Sequence, residues 1–282
     1  MADDLLRTGL LDLHWELRDT GIKLILGGGY GLYLRQLNLQ ERESYRPLIK
    51  QSLWPAPRTT KDIDLFLPAE VIVSETHFRE IRAALDRLKY IPKTKFFQFV
   101  KALDRDRSIQ VDLLTGPIGD EKGLHISRER VRPMTKVELH AHIAKDAIDV
   151  ENELEALSVK GVRSDATPYV ATVHLPKPFT FLVMKLHAFS DRKEDSDMDF
   201  GRHHAMDVYR TVAMLDEVAY DAVKRHVAAR KDHAVVKSAQ AIIGALFQEA
   251  TSLGSLRFKE HAQYHPAMGT DALINGLRNL FQ

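Results

Sequence analysis

There is not one cysteine among the 282 residues. That excludes disulfide staples and every thiolate metal site or nucleophile, and it suits a reducing compartment. No window approaches the roughly 18 consecutive apolar residues that a membrane-spanning helix needs. The opening MADDLLRTGLLDLHWELRDTG mixes acids and bases throughout, unlike a signal peptide. A surplus of charge is missing too: 40 Lys and Arg face 39 Asp and Glu, a formal net of +1. Bulk charge therefore announces no nucleic-acid binder, and a basic face could exist only locally. Internal repeats and low-complexity tracts are also lacking. What remains as the expectation is a cytoplasmic globular protein with no membrane partner, long enough for one large domain or two medium ones.

Periodicity then separates two halves. Leu6, Leu10, Leu13 and Leu17 recur at helical spacing, which predicts an amphipathic helix over 3–19. IKLIL (22–26) reads as a buried strand ending in three glycines, and YGLYLRQLNL (30–39) as a helix. Residues 40–58 read as a loop or partly helical excursion. DIDLFL (62–67) is the next strand, closed by Pro68, and 75–89 is an amphipathic helix. KFFQFVKAL and SIQVDLLTG (108–116) predict two antiparallel strands joined by the charged turn DRDR. Short strands are expected near 124–127, 157–160 and 170–175. From Pro178 onward the pattern is helical, through FTFLVMKLHAFSDR, HHAMDVYRTVAML, AYDAVKRHVAAR, AVVKSAQAIIGALF and DALINGLRNLF. The expected class is α+β: a mixed sheet with flanking helices over 1–176, then a mainly helical C-terminal domain over 177–282.

Against this apolar background, WPAPRTTKDIDLFLP (54–68) is an energetic oddity. Burying a carboxylate is costly unless it is paired, hydrogen-bonded or bound to a metal, yet Asp62 and Asp64 sit two apart on one strand. Strand alternation sends both to the same face, with Ile63 on the other. Two carboxylates that close repel unless a cation lies between them, and Mg²⁺ takes hard oxygen ligands while leaving positions for phosphate oxygens. The alternative is a capping residue beside a solvated one. Gly27, Gly28 and Gly29 form a turn between strand and helix, where backbone N–H groups can meet phosphate; the alternative there is a tight turn with no ligand. This is neither a Walker P-loop nor a GxGxxG fingerprint. Asp112, between apolar neighbours in IQVDLL, is a third strand carboxylate, and by itself such a residue is more often structural. The near-neighbour histidines (His140 and His142, His203 and His204, His261 and His265) lack the HExxH pattern, so zinc is not expected.

Taken together, a glycine turn opening a helix, Arg58-x-Thr60-x-Asp62-Ile63-Asp64, and a later strand aspartate resemble the polymerase-β-type nucleotidyltransferase superfamily. Within it the chain resembles the AbiEii-like group, which includes the MenT toxins of toxin–antitoxin and phage-defence systems. Lys185, Arg192 and Asp207 match that group's lysine, arginine and late aspartate in order. His203-His204 stand where the group often has Lys-Asp. The resemblance spans residues 24–209 and implies a nucleotidyltransferase-type fold whose helical domain completes the active-site cleft. It implies one or two Mg²⁺ ions on Asp62, Asp64 and Asp112, with an NTP as substrate and Gly27, Gly28 and Gly29 beside the triphosphate. Thr60 belongs to the same nucleotide-binding set. Lys185 would meet the β/γ-phosphates, and Arg58 or Arg192 would clamp phosphate oxygens. Asp112 is either a third metal ligand or the base for the incoming hydroxyl; Asp207 either orients Lys185 or contacts nucleotide.

The implied reaction moves NMP to an acceptor hydroxyl, which in this group can be the 3′ end of tRNA, with a cognate antitoxin as a possible protein partner. An RNA acceptor calls for a basic surface, for which Lys93, Lys95, Lys101, Arg105, Arg107, Arg128, Arg130 and Arg132 are the candidates. The alternatives are a small-molecule acceptor such as an antibiotic, which would favour an acidic pocket, or a degenerate module that only binds nucleotide.

Overall fold

A computed structural model describes residues 2–57, 60, 62–105, 107–119, 124–127, 129–134 and 137–282. The chain groups into two compact units, Met1–Tyr33 with Arg58–Lys177, and Leu34–Pro57 with Pro178–Gln282.

The first unit is built on a mixed sheet. Its strands are β1 (Ile25–Leu26), β2 (Asp62–Phe66), β3 (Ile91–Thr94), β4 (Gln98–Ala102), β5 (Ser108–Thr115), β6 (Leu124–Ser127), β7 (Arg130–Pro133), β8 (Ala141–Ile143), β9 (Glu155–Val162) and β10 (Pro168–Leu175). Their order is β6-β7-β8-β5-β2-β1-β10-β9, with β4 also on β5 and β3 on β4. Helices α1 (Ala2–Leu17), α3 (Ala69–Val73) and α4 (Glu75–Arg87) belong to this unit, whereas α2 (Gly28–Glu41) starts in it and ends in the second.

Alternation along β5 sets the two faces of the sheet. Ile109, Val111, Leu113 and Thr115 are buried, while Ser108, Gln110, Asp112 and Leu114 on the other face are less so. Helix α1, with Leu10, Leu11 and Leu13 almost wholly buried, packs on α4 and on β2, β5, β9 and β10. Helix α4 is capped by the Ser74 hydroxyl, which accepts from His77 N (3.3 Å), and it buries Phe78, Ile81, Ala84 and Leu85. Strand β1 is only two residues long because the chain turns at Gly27, whose N–H donates to Asp64 O (2.9 Å), and enters α2 at once.

The second unit holds α5 (Pro178–Arg192), α6 (Arg202–Ala213), α7 (Glu217–Ala229), α8 (Ala234–Leu246), α9 (Leu253–Glu260) and α10 (Thr270–Phe281). Helices α5 and α6 lie at its centre, α5 against α7 and α8, α6 against α9 and α10. Residues 34–57, placed with the first half by the linear division, group with these helices. The reason is a set of bonds to α6 and the turn after it: Leu48 N to Leu215 O (2.7 Å), Tyr45 hydroxyl to Met214 O, and Tyr209 hydroxyl to Leu53 O (3.1 Å).

α+β organisation, with strands in the first two thirds and helices in the last, is the architecture observed. Strands β3, β7 and β8 and helices α3 and α9 go beyond the elements expected from sequence. Strand β3 (IPKT) carries a proline and a lysine on an exposed edge, and β7 (RVRP) has only four residues, so neither shows the alternation of a longer strand.

At one end of α6, His203 Nδ1 lies 2.9 Å from His261 Nε2, and His261 Nδ1 accepts from Gln263 N (3.1 Å). Neutral His261 must therefore carry its proton on Nε2 and donate to His203; a second proton on Nδ1 would oppose the Gln263 N–H. Burial, then His203 and Arg210, push the His261 imidazole down to about 4 from its ordinary 6.5. The folded state refuses a proton that the unfolded chain accepts, so this contribution to stability is present above pH 6.5 and is lost between 6.5 and about 4. Urea unfolding at pH 7 and pH 4.5 should show wild type losing on the order of 2–3 kcal/mol more than His261→Gln over that interval. Equal pH slopes for the two proteins would refute the assignment.

Candidate active site

Parallel pairing of β2 with β5 brings the strand aspartates together. The register sets Asp62 opposite Gln110 and Asp64 opposite Asp112, so all four side chains lie on one face. One carboxylate oxygen from each of Asp62, Asp64 and Asp112 lies within 4.8 Å of the others, and all three residues are half-buried. Among the described residues, this is the one group of three or more His, Cys, Asp or Glu that could hold a metal ion.

Local structure explains how three like charges are held there. Helix α2 begins at Gly28, whose φ is +57°, and a β-carbon at that residue would stand 1.5 Å from Asp64 Oδ2. Glycine at 28 is thus required twice, by the left-handed backbone and by the carboxylate lying over it. At Gly27 a β-carbon would stand 2.3 Å from the Phe66 ring. The space at both glycines is filled by side chains of β2 itself, and Gly29 follows in the first turn of α2. The Thr60 hydroxyl donates to Asp62 Oδ1.

Asp112 is held on both oxygens. Gln98 Nε2, directly across on β4, donates to Oδ2 (3.1 Å), and Gln110 Nε2, two residues back on β5, donates to Oδ1 (2.8 Å). Lys93 Nζ in turn donates to Gln110 Oε1 (2.9 Å). Burial raises the Asp112 carboxyl above its ordinary value. The two amides pull it back, while Asp62 adds a smaller push upward. Such an oxygen-only donor set fits a hard divalent cation such as Mg²⁺.

Lys185 and Asp207 belong to the second unit. Lys185 Nζ lies 2.9 Å from Asp207 Oδ2, and the side chains are 6% and 1% exposed. The other Asp207 oxygen accepts from Arg210 Nη1. Arg210 also donates to Gln36 Oε1 (3.1 Å), Ala56 O (2.9 Å) and Gln263 Oε1 (3.2 Å), while Gln36 Nε2 donates to Pro55 O (2.7 Å). Each oxygen of Asp207 thus meets a buried cation, Lys185 on one and Arg210 on the other. Arg192, at the end of α5, directs Nη1 at His204 Nε2 (2.7 Å), one of the two histidines standing where the resembling group often has Lys-Asp. Arg58 lies outside the described residues.

Three participants are absent from the motif reading: Gln98, Gln110 and Arg210. Gln110 was within reach of the strand period, two residues before Asp112, and Arg210 of the helix period, three after Asp207. Gln98 depends on cross-strand register, which periodicity does not carry.

No family model matches the chain, and no curated protein matches it. Among solved structures it is similar to the solution structure of the antibiotic-resistance factor ANT(2'')-Ia, with 14% identity over 82% of this chain and 97% of that one and a TM-score of 0.37. A likeness that loose carries no argument about chemistry, which rests on the residues above.

Two substitutions probe these two groups. Gly28→Ala meets both the Asp64 oxygen and the left-handed backbone; it should cost at least about 1–2 kcal/mol of stability and weaken Mn²⁺ binding measured by electron paramagnetic resonance. Unchanged Mn²⁺ affinity would show that Asp64 does not need this glycine. Asp207→Ala strands two buried cations and should lower the unfolding free energy by about 3–5 kcal/mol. A loss under about 1 kcal/mol in chemical denaturation, the range of an exposed ion pair, would contradict that.

Proposed function

We propose that the protein is a Mg²⁺-dependent nucleotidyltransferase that moves NMP from an NTP to an acceptor hydroxyl and releases pyrophosphate. The observation that carries this reading is the convergence of Asp62, Asp64 and Asp112 on adjoining positions of β2 and β5, with Asp64 against the first residue of α2. One or two Mg²⁺ ions held by these carboxylates would neutralise charge on the triphosphate, the main demand of phosphoryl transfer. Thr60 fixes Asp62 through its hydroxyl, and Gly28 keeps the space that the Asp64 carboxylate fills. On motif order, the reading assigns Gly27, Gly28 and Gly29 to backbone contact with phosphate, Lys185 to the β/γ-phosphates, and Arg58 or Arg192 to a bidentate clamp. Asp207 serves it by holding the Lys185 ammonium.

For the acceptor we favour the 3′ end of tRNA, in a growth-arresting toxin countered by a cognate antitoxin in the cytoplasm. The sheet face bearing the triad supports an anionic acceptor. Leu114, two residues beyond Asp112, pairs with His142, which pairs with Arg130, and Arg132 pairs with His125 on the next strand. Phe97 stacks on His142 (5.2 Å) and Phe96 meets His140 edge-on (6.0 Å), so aromatic rings lie among the basic groups. Of the other basic candidates, Lys101 belongs to the opposite face, 3.8 Å from Asp12, and Arg107 pairs with Asp104. Arg128 lies outside the described residues.

Incubation with Mg²⁺ and each α-labelled NTP, with total tRNA or with an aminoglycoside, separates the acceptors. Label should enter tRNA, and Asp64→Ala should reduce transfer by on the order of 10²–10³-fold. Transfer to the aminoglycoside alone would replace the acceptor and keep the chemistry. NTP binding with no transfer to either, unchanged in Asp64→Ala, would leave a nucleotide-binding module in place of an enzyme.

A further inference from the structure

We propose that Gln98 and Gln110 are positioning residues of the ion site: acting from two strands, they hold the Asp112 carboxylate in the orientation that keeps one of its oxygens within reach of Asp62 and Asp64. Lys93 completes the device by setting the orientation of Gln110. The inference rests on the metal-dependent reading above.

An aspartate on a strand can occupy several side-chain rotamers, so backbone register alone leaves its oxygens undirected. Here each oxygen has its own donor, Gln98 Nε2 on Oδ2 at 3.1 Å and Gln110 Nε2 on Oδ1 at 2.8 Å. The donors approach from different places, one across the ladder on β4 and one along β5. Two such anchors fix the plane of the carboxylate, which a single hydrogen bond could not do. An ionised carboxylate offers about four lone-pair sites, so about two remain for an ion.

The chemistry of the donors matters as much as their number. Arginine or lysine at either position would neutralise Asp112 and compete with the cation. Amide N–H groups are neutral and leave the full negative charge available to a hard ion. They also counter the burial that works against the charged form of Asp112. The nearest cation in this chain of bonds is one step removed. Lys93 Nζ donates to Gln110 Oε1 at 2.9 Å, which commits the carbonyl end of that amide to Lys93 and its NH₂ end to Asp112. Lys93 itself lies on β3, the edge strand, and is exposed. Outer groups that orient an ion's ligands characteristically change metal affinity by 10–100-fold when removed, and the glutamines stand in that relation to Asp112.

Replacing each glutamine by methionine keeps the length of the side chain and removes the N–H donor. On the full chain, Mn²⁺ titrations followed by electron paramagnetic resonance should show affinity falling about 3–10-fold in Gln98→Met and in Gln110→Met, and more than about 10-fold in the double variant. Lys93→Met should give a smaller loss, about 2–3-fold, and Gln98→Asn, an amide one carbon shorter, should not restore affinity. In the NMP-transfer assay the double variant should lose kcat at fixed Mg²⁺ with little change in the KM for NTP, and recover part of kcat as Mg²⁺ is raised. A residue that only supported the fold would not produce that recovery. Asp64→Ala separates the two levels of the claim. If Asp64→Ala abolishes Mn²⁺ binding while the double methionine variant binds as wild type does, the positioning role is overturned and the ion site stands. Should Asp64→Ala bind Mn²⁺ unchanged, the ion site itself falls. If circular dichroism shows the double variant unfolded, the single variants and Lys93→Met, on its exposed strand, decide the matter.

Discussion

Mutual repulsion among three carboxylates is the constraint around which the first unit is organised. Parallel pairing places Asp64 beside Asp112, and the strand period adds Asp62 to the same face. Left to themselves, three negative charges within 4.8 Å would splay apart or take up protons. Each is held instead by a different neighbour: Asp62 by a hydroxyl, Asp112 by two amides, and Asp64 lies over the glycine that opens α2. An oxygen-only set of this kind could hold a hard divalent ion.

The second unit manages charge in the opposite way. Lys185, Asp207 and Arg210 are almost wholly buried, and two cations share one carboxylate. Gln36, Gln263 and the Ala56 carbonyl also accept from the Arg210 guanidinium. Burial of this kind adds little net stability relative to an apolar core, yet it punishes the loss of any single member. Its structural effect is to fasten α2 and residues 55–56 to α6, tying chain segments far apart in sequence.

Much of the candidate site was legible in the residues themselves. Alternation alone predicts that Asp62 and Asp64 share a face and that Asp112 sits on a strand with apolar neighbours opposite. The long helices α4, α5, α6, α8 and α10 follow from apolar spacing. Less regular pieces were not: β3 and β7 are short and polar, and residues 42–57 are held by scattered bonds to α6 and the turn after it. The glycine run shows the limit of motif reading. Its residue types suggest a phosphate turn, and the structure adds that a β-carbon at 27 or 28 would meet Phe66 or Asp64, contacts that residue type alone does not encode.

By itself the sequence determined the inventory: which residues carry charge, which face of a strand each occupies, and where helices replace strands. Those properties are local, set by periods of two and 3.6 residues. Only the tertiary structure decided the partners. Whether Asp112 stands beside Asp64, whether Gln98 faces Asp112, and whether Arg210 reaches Ala56 all depend on pairing and packing between distant segments. Such contacts arise from the global burial of apolar faces, and no local period encodes them.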